Sequence, residues 1–113
     1  MLKSTKNFWG VEIVDIEYEL GDLKFEWDSN KAEINLKKHK IAFEDAARVF
    51  LDDYRIDEFD EIHSDDEERI KTVGFVMNVL AVIYTERGEN NRIISARRAN
   101  TKEERDYFEQ FAQ

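Results

Sequence analysis

Val79, Leu80, Ala81, Val82, Ile83 and Tyr84 form an unbroken apolar run between Asn78 and Glu86. A short run rich in β-branched residues and closed by polar ones reads as a strand. Because both of its faces are apolar, it belongs at the centre of a sheet. Its neighbours read as partners. Arg69–Val76 is strand-like, Gly88 to Asn91 supplies a turn, and Arg92–Arg98 returns. Tyr54–Phe59 is a further strand, followed by an acidic loop over 60–68. Near the start of the chain Val14, Ile16, Tyr18 and Leu20 alternate with Asp15, Glu17 and Glu19. Gly21-Asp22 then makes a turn, and Leu23, Phe25 and Trp27 alternate with Lys24 and Glu26. That is a hairpin over 11–27 with the period of half-buried strands.

Three helices are predicted among these strands. Asp28 or Ser29 caps a helix running to about Lys38, with Ala32 and Leu36 one turn apart and Lys37, Lys38 and Lys40 at the end that favours cations. Phe43, Ala46, Ala47, Phe50 and Leu51 fall on one face of a second helix over 43–51. Thr101 with Glu104 three residues on reads as a capping box for a last helix over 102–112, with Tyr107, Phe108 and Phe111 on its apolar side. This order predicts an α+β fold, with an antiparallel sheet of about four to six strands packed by two N-terminal helices and one C-terminal helix.

The 113 residues suit a single domain. Cysteine is absent, which excludes a disulfide framework and thiolate metal sites and fits a cytoplasmic setting. No run approaches the length of a membrane span, and Glu12, Asp15, Glu17 and Glu19 interrupt any signal-like segment after Lys3 and Lys6. The net charge of −9 argues at first against a nucleic-acid partner, but it is unevenly spread. Residues 52–68 hold ten acids against Arg55 alone. Residues 87–105 carry Arg87, Arg92, Arg97, Arg98, Lys102 and Arg105 against Glu89, Glu103 and Glu104. A basic face can therefore coexist with an acidic total.

The segment Arg92–Arg98 is the most informative chemically. Strict alternation puts Ile93, Ser95 and Arg97 on one face and Arg92, Ile94, Ala96 and Arg98 on the other. Guanidinium groups are planar, permanently charged and bidentate toward phosphate, which suits them to gripping a phosphodiester. The competing reading is that these arginines pair with the acids of 52–68 or snorkel from the sheet. His39, beside Lys38 at a helix end, carries an imidazole of the kind suited to proton transfer, or else packs as a capping histidine. Tyr84 and Glu86 share one side of a strand with Arg87 just beyond, lining a cleft or a plain strand edge. His63 and the Asp65-Asp66-Glu67-Glu68 run read as a solvated loop, without the glycine and spacing of a calcium site. Trp9 and Trp27 suit either base stacking or the core. No Walker loop, dinucleotide fingerprint or nucleophile elbow is present, and neither a cofactor nor a metal is expected.

Several motifs together resemble the BrnT family. They begin with Phe25-Glu26-Trp27-Asp28, Lys31, Asn35-Leu36, Lys38-His39, Phe43-Glu44-Asp45-Ala46 and Val49-Phe50, and continue with His63-Ser64-Asp65 and Glu68-Arg69. Val82 to Arg87, Arg92 to Ala99, and Glu103-Glu104-Arg105 with Tyr107 complete the likeness, in order over about residues 25–108. The resemblance implies a RelE-like ribonuclease fold, the toxin half of a type II toxin–antitoxin pair. It implies metal-independent RNA cleavage that inhibits translation, neutralisation by a BrnA-like antitoxin, and DNA contact only through that antitoxin. A homodimer or a toxin–antitoxin heterotetramer is the expected assembly. In that scheme Arg97 and Arg69 hold the phosphate, Arg92 is a second clamp, and His39 or Glu86 transfers the proton. Lys38, Tyr84, Arg87, Ser95 and Arg98 bind substrate. Residues 1–24 form a strand-like extension ahead of a core over 25–113, able to add an edge strand, mediate a dimer or cover the RNA face. Lys40 and Ala42 stand where the family often has glycine and serine, so one helix end and the next cap are weaker here. The extension and the acidic total support an alternative: a toxin-like binding module without catalysis.

Overall fold

The computed structural model describes residues 2–6, 12–61 and 67–112. Trp9 and His63, with most of the 60–68 loop, lie outside the described residues. The strands are β1 (Leu2–Lys6), β2 (Glu12–Leu20), β3 (Leu23–Asp28), β4 (Ile56–Phe59), β5 (Ile70–Val76), β6 (Asn78–Arg87) and β7 (Asn90–Arg98). The helices are α1 (Ser29–His39), α2 (Phe43–Arg48), continued by a 3-10 turn at Val49–Leu51, and α3 (Thr101–Glu109).

The strands form one sheet in the order β1-β2-β3-β7-β6-β5-β4. The six strands β2 to β7 reach the upper end of the expected number, and β1 adds a seventh at the edge. The sheet is mixed rather than antiparallel throughout. β3 runs parallel to β7 through Phe25↔Asn91 and Glu26↔Arg92, and every other pairing is antiparallel. α1, α2, β4, β5 and β6 all intervene between β3 and β7. A connection that long can return in either direction, whereas the one- and two-residue turns of β2–β3, β5–β6 and β6–β7 force antiparallel neighbours.

The apolar run anchors the centre as its pattern requires: six of the ten residues of β6 are buried, Val79 to Val82 without a break and then Tyr84 and Thr85. One face of the sheet meets α1 and α2. There Phe25, Trp27, Leu80, Val82, Ile93 and Ala96 pack with Ile41, Phe43, Ala46, Ala47 and Val49. Trp27 is 1% exposed and its ring meets Phe43 edge-on at 5.8 Å, which makes it a core residue. Ile16, Tyr18 and Leu20 of β2 join the same core, so β2 packs with the rest of the sheet. Asn35 ties α1 to the sheet, accepting from the Ala96 N–H at 3.0 Å and donating to the Ile41 carbonyl at 3.1 Å. The other face carries a smaller cluster in which Tyr107 of α3 covers Val73, Val79 and Ala81.

Local chemistry explains the helix ends. Asp28 caps α1 by accepting from the Lys31 N–H at 2.9 Å. α1 closes on Lys40 in the left-handed conformation (φ 60°), and Ala42 opens α2 with no side-chain cap. Both positions lack the residue that such a site favours. The capping box of α3 lies one residue earlier than the sequence reading put it. Asn100 accepts from the Glu103 N–H at 2.8 Å and Glu103 accepts from the Asn100 N–H at 2.9 Å, so Thr101 is already helical. Asparagine caps as well as threonine does, and here its extended backbone leads directly out of β7.

A register shift between Ile83 and Tyr84 alters the facing of β7. Ile83 pairs with Ser95 but Tyr84 pairs with Ile93, leaving Ile94 as the extra residue. Strict alternation therefore fails. Ile93 joins Ala96 in the helix-covered core, and Arg92 moves to the face that carries Arg97.

Candidate active site

The face away from α1 and α2 holds a cleft of about 600 Å³ lined by Glu58, Phe59, Asp60, Glu61, Arg69, Lys71, Ile83, Ile94, Ser95 and Arg97. Its basic side chains come from three places. Arg97 and Ser95 project from β7 beside the bulged Ile94, Lys71 lies opposite Ile83 on β5, and Arg69 precedes β5. Ile83 and Ile94 give the cleft apolar surface.

Glu103 of α3 organises the cations. Its carboxylate takes both terminal nitrogens of Arg97, at 2.7 and 3.0 Å, and the Lys71 ammonium at 2.7 Å. With the Asn100 N–H it has four donors, and its side chain is only 8% exposed. Burial pushes the Glu103 carboxyl up, but the hydrogen bonds from Arg97, Lys71 and Asn100 outweigh it and hold the pKa at about 2. Partial burial likewise disfavours the Lys71 ammonium, yet bonds to Glu103 and Glu58 raise it above the usual lysine range. Arg97 is raised by its bond to Glu103. All three groups are therefore charged near neutrality.

The other residues singled out by sequence lie elsewhere. Arg92 shares the face of Arg97, but its guanidinium holds Glu26 at 2.7 Å and Asp15 at 3.2 Å, and it is 14% exposed. Tyr84 and Glu86 line a second cleft of about 370 Å³ on the helix-covered face, with Phe50, Arg55, Asp57 and Asn91 among its walls. Burial pushes the Tyr84 hydroxyl up. Glu58 and Phe59 of the edge strand β4 line both clefts, which therefore meet around that edge. His39 and Arg98 lie together in a third depression with Asp45 and Met77, and Arg98 donates to Asn78 at 2.8 Å. Lys38 is exposed on α1. Arg87, read as a cleft-lining or strand-edge residue, makes a bidentate pair with Glu67 at 2.7 and 3.1 Å. The structure thus brings Arg69, Ser95 and Arg97 together and sets His39 and Glu86 apart from them.

Sequence reasoning passed over Lys71, Glu58 and the clamping part of Glu103. Lys71 was within reach, since it lies two residues from Arg69 in a strand and so shares its face. Glu103 was not, because its partners come from β5 and β7 through tertiary packing.

An α+β domain with a sheet face carrying clustered arginine and lysine, and with β7 feeding directly into α3, is the class that these elements define. The family comparison then places it. A family model described as a ribonuclease toxin, BrnT, of type II toxin–antitoxin systems matches residues 27–103, well over half of the chain, and the chain belongs to that family. No curated protein matches it. As a family member it is a ribonuclease toxin of the type II class, whose biology includes an antitoxin protein. Among the described residues, no helix is long and apolar enough to cross a membrane.

Proposed function

We propose that the cleft between β4, β5 and β7 is where this toxin cleaves RNA, and that cleavage proceeds without a metal ion. The observation that carries this reading is the convergence of Arg69, Lys71, Arg97 and Ser95 on one cleft of about 600 Å³. In the proposed reaction the 2′-hydroxyl attacks the adjacent phosphorus, the 5′-oxygen leaves, and a 2′,3′-cyclic phosphate forms. Negative charge grows on the phosphoryl oxygens in the transition state. Fixed guanidinium and ammonium groups aimed at those oxygens supply the stabilisation that a metal would otherwise give. Arg97 and Arg69 hold the phosphate, as the sequence reading had it, and Lys71 joins them. Ser95 offers a hydroxyl from the same strand. Arg92 serves as an outer clamp where it releases Asp15.

Proton transfer is the point on which the proposal changes. His39 and Glu86 line other depressions. Glu58, Asp60 and Glu61 are the carboxylates within the cleft itself, one of them takes the 2′-hydroxyl proton, and the departing 5′-oxygen takes a proton from water to leave as a 5′-hydroxyl. An RNA strand passing around the β4 edge would reach Tyr84 and Glu86 in the adjoining cleft. The resulting cut inhibits translation in the cytoplasm. A BrnA-like antitoxin that covers this face neutralises the toxin, and its own DNA-binding segment brings the pair to DNA.

One observation favours a second reading. Glu58, Asp60, Glu61 and Glu103 surround the three cations, so the cleft is not basic overall. A binding module that has lost catalysis would tolerate that balance. The deciding experiment compares the intact chain with Arg97→Ala, both for RNA cleavage by purified protein and for growth arrest on induced expression. Loss of one fixed donor to the transition state lowers kcat by about a hundredfold to a thousandfold. Cleavage that survives Arg97→Ala at full rate would remove this cleft as the site. Folded intact protein that neither cleaves nor arrests growth would establish the binding module.

A further inference from the structure

Two carboxylates share the Lys71 ammonium at the same distance, 2.7 Å, yet they stand in different surroundings. Glu103 is 8% exposed, anchored by four donors from three elements, and committed at both oxygens. Glu58 is 60% exposed, sits on the short edge strand β4, and lines the open cleft. We propose that these two acids have opposite effects on RNA: Glu103 is a positioning residue that fixes Arg97 and Lys71 for the phosphate, whereas Glu58 is an internal stand-in for that phosphate, which bound RNA must displace. The proposal rests on the cleft being the RNA site.

A carboxylate and a phosphate compete for the same ammonium, so the pair that costs less to break is the one that gives way. Glu58 is 60% exposed against 20% for Lys71, so breaking the pair returns Glu58 to solvent at little cost. Breaking the Glu103 pair would leave a buried charge without partners, which is strongly unfavourable. RNA therefore displaces Glu58 and leaves Glu103 in place. Glu103 also belongs to the capping box of α3, so the helix start and the two cations form one rigid unit. Lys71 stays an ammonium while it changes partners, acting as a fixed charge rather than as a proton carrier.

The test uses the full chain and two probes. Binding is measured with a fluorescein-labelled, mixed-sequence single-stranded RNA that is 2′-O-methylated and so lacks the attacking hydroxyl. Cleavage is measured with the same RNA unmethylated. Glu58→Gln is expected to tighten binding about two- to fivefold, the scale of an exposed ion pair. With Lys71 free for a phosphate, its log affinity should fall more steeply with log salt, by about 0.7 in slope for a single strand. Glu103→Gln is expected to lower kcat, by up to about a hundredfold for misplaced groups, with KM little changed. Glutamine still completes the capping box, so α3 can form. Should circular dichroism show Glu103→Gln to be unfolded, Glu58→Gln decides alone. Unchanged affinity in Glu58→Gln overturns the proposal. So does abolished cleavage with binding intact, which would make Glu58 the base, and so does a folded Glu103→Gln with normal kcat. Failure of the cleft reading itself shows differently, as full cleavage by Arg97→Ala.

Discussion

The two faces of the sheet are built on opposite plans. The face under α1 and α2 is filled by large apolar side chains: Trp27, Phe25, Phe43 and Ile93 are each 1% exposed or less. Its polar insert, Asn35, is satisfied by backbone groups on both sides. Among the described helices the opposite face receives α3, whose Tyr107 covers Val73, Val79 and Ala81. Beyond that cover lie Lys71, Arg97 and Arg92, each paired with carboxylates. The first face stabilises by removing apolar area from water. The second holds charges in place by pairing them, which adds less stability but leaves groups suited to binding an anion. A small domain keeps both by putting them on opposite sides of the same strands.

The largest effect should come from emptying the covered face. Trp27→Ala is expected to cost about 3–5 kcal/mol, as for other buried tryptophans. Denaturant unfolding measures it, and a cost below about 1 kcal/mol would contradict the central place given to this ring. Next in size is an acid transition belonging to the other face. The folded-state pKa of Glu103 is about 2, below its ordinary 4.5. A depressed carboxyl contributes stability that is complete above the unfolded value and is lost as pH falls toward the folded one. Stability should therefore drop by roughly 3 kcal/mol between about pH 4.5 and pH 2. Glu103→Gln should remove that part of the pH dependence, while Trp27→Ala should leave it in place.

Gly74 tests how closely the covered face is packed. A Cβ there would lie 2.8 Å from Cγ1 of Val49 and 3.2 Å from Cβ of Arg55. Gly74→Ala is thus expected to destabilise by about 1–3 kcal/mol through overpacking. A neutral result would show that the 3-10 turn after α2 can shift. The smallest change has the opposite sign. Lys40 is left-handed at the end of α1 and its side chain is exposed, so Lys40→Gly should raise stability by about 1 kcal/mol. Thermal unfolding of that variant would show whether the α1–α2 corner carries the strain that its sequence suggests.

Much of this architecture is visible in the chain itself. The apolar run Val79 to Tyr84 fixed a central strand, and period-two and helical spacings located β2 to β5, β7 and the three helices to within a few residues, whereas β1 had no such signal. Asp28 or Ser29 marked the start of α1, and Asp28 is the residue that caps it; the comparison with the family's usual residues pointed to Lys40 and Ala42 as two weak points, which the backbone displays. These features are local: side-chain periodicity and capping act over a few residues, so a linear reading reaches them. Arg97 and Ser95 stood out by residue type and strand position, Arg69 was added by the family resemblance, and the three share a cleft.

What tertiary structure alone decided depends on contacts between distant segments. The parallel pairing of β3 with β7 sets Glu26 against Arg92, which turns a candidate phosphate ligand into an ion-paired link between strands. The bulge at Ile94 reverses the facing of Arg92 and Ile93, which no alternation rule anticipates because it arises from pairing with β6. Glu103 meets Arg97 and Lys71 only once α3 has folded back over the sheet. Sequence spacing carries the chemistry of each side chain and the period of each element. Which charges come within reach of one another is settled by strand register and helix docking, since electrostatic pairing depends on ångström distances between residues far apart in the chain.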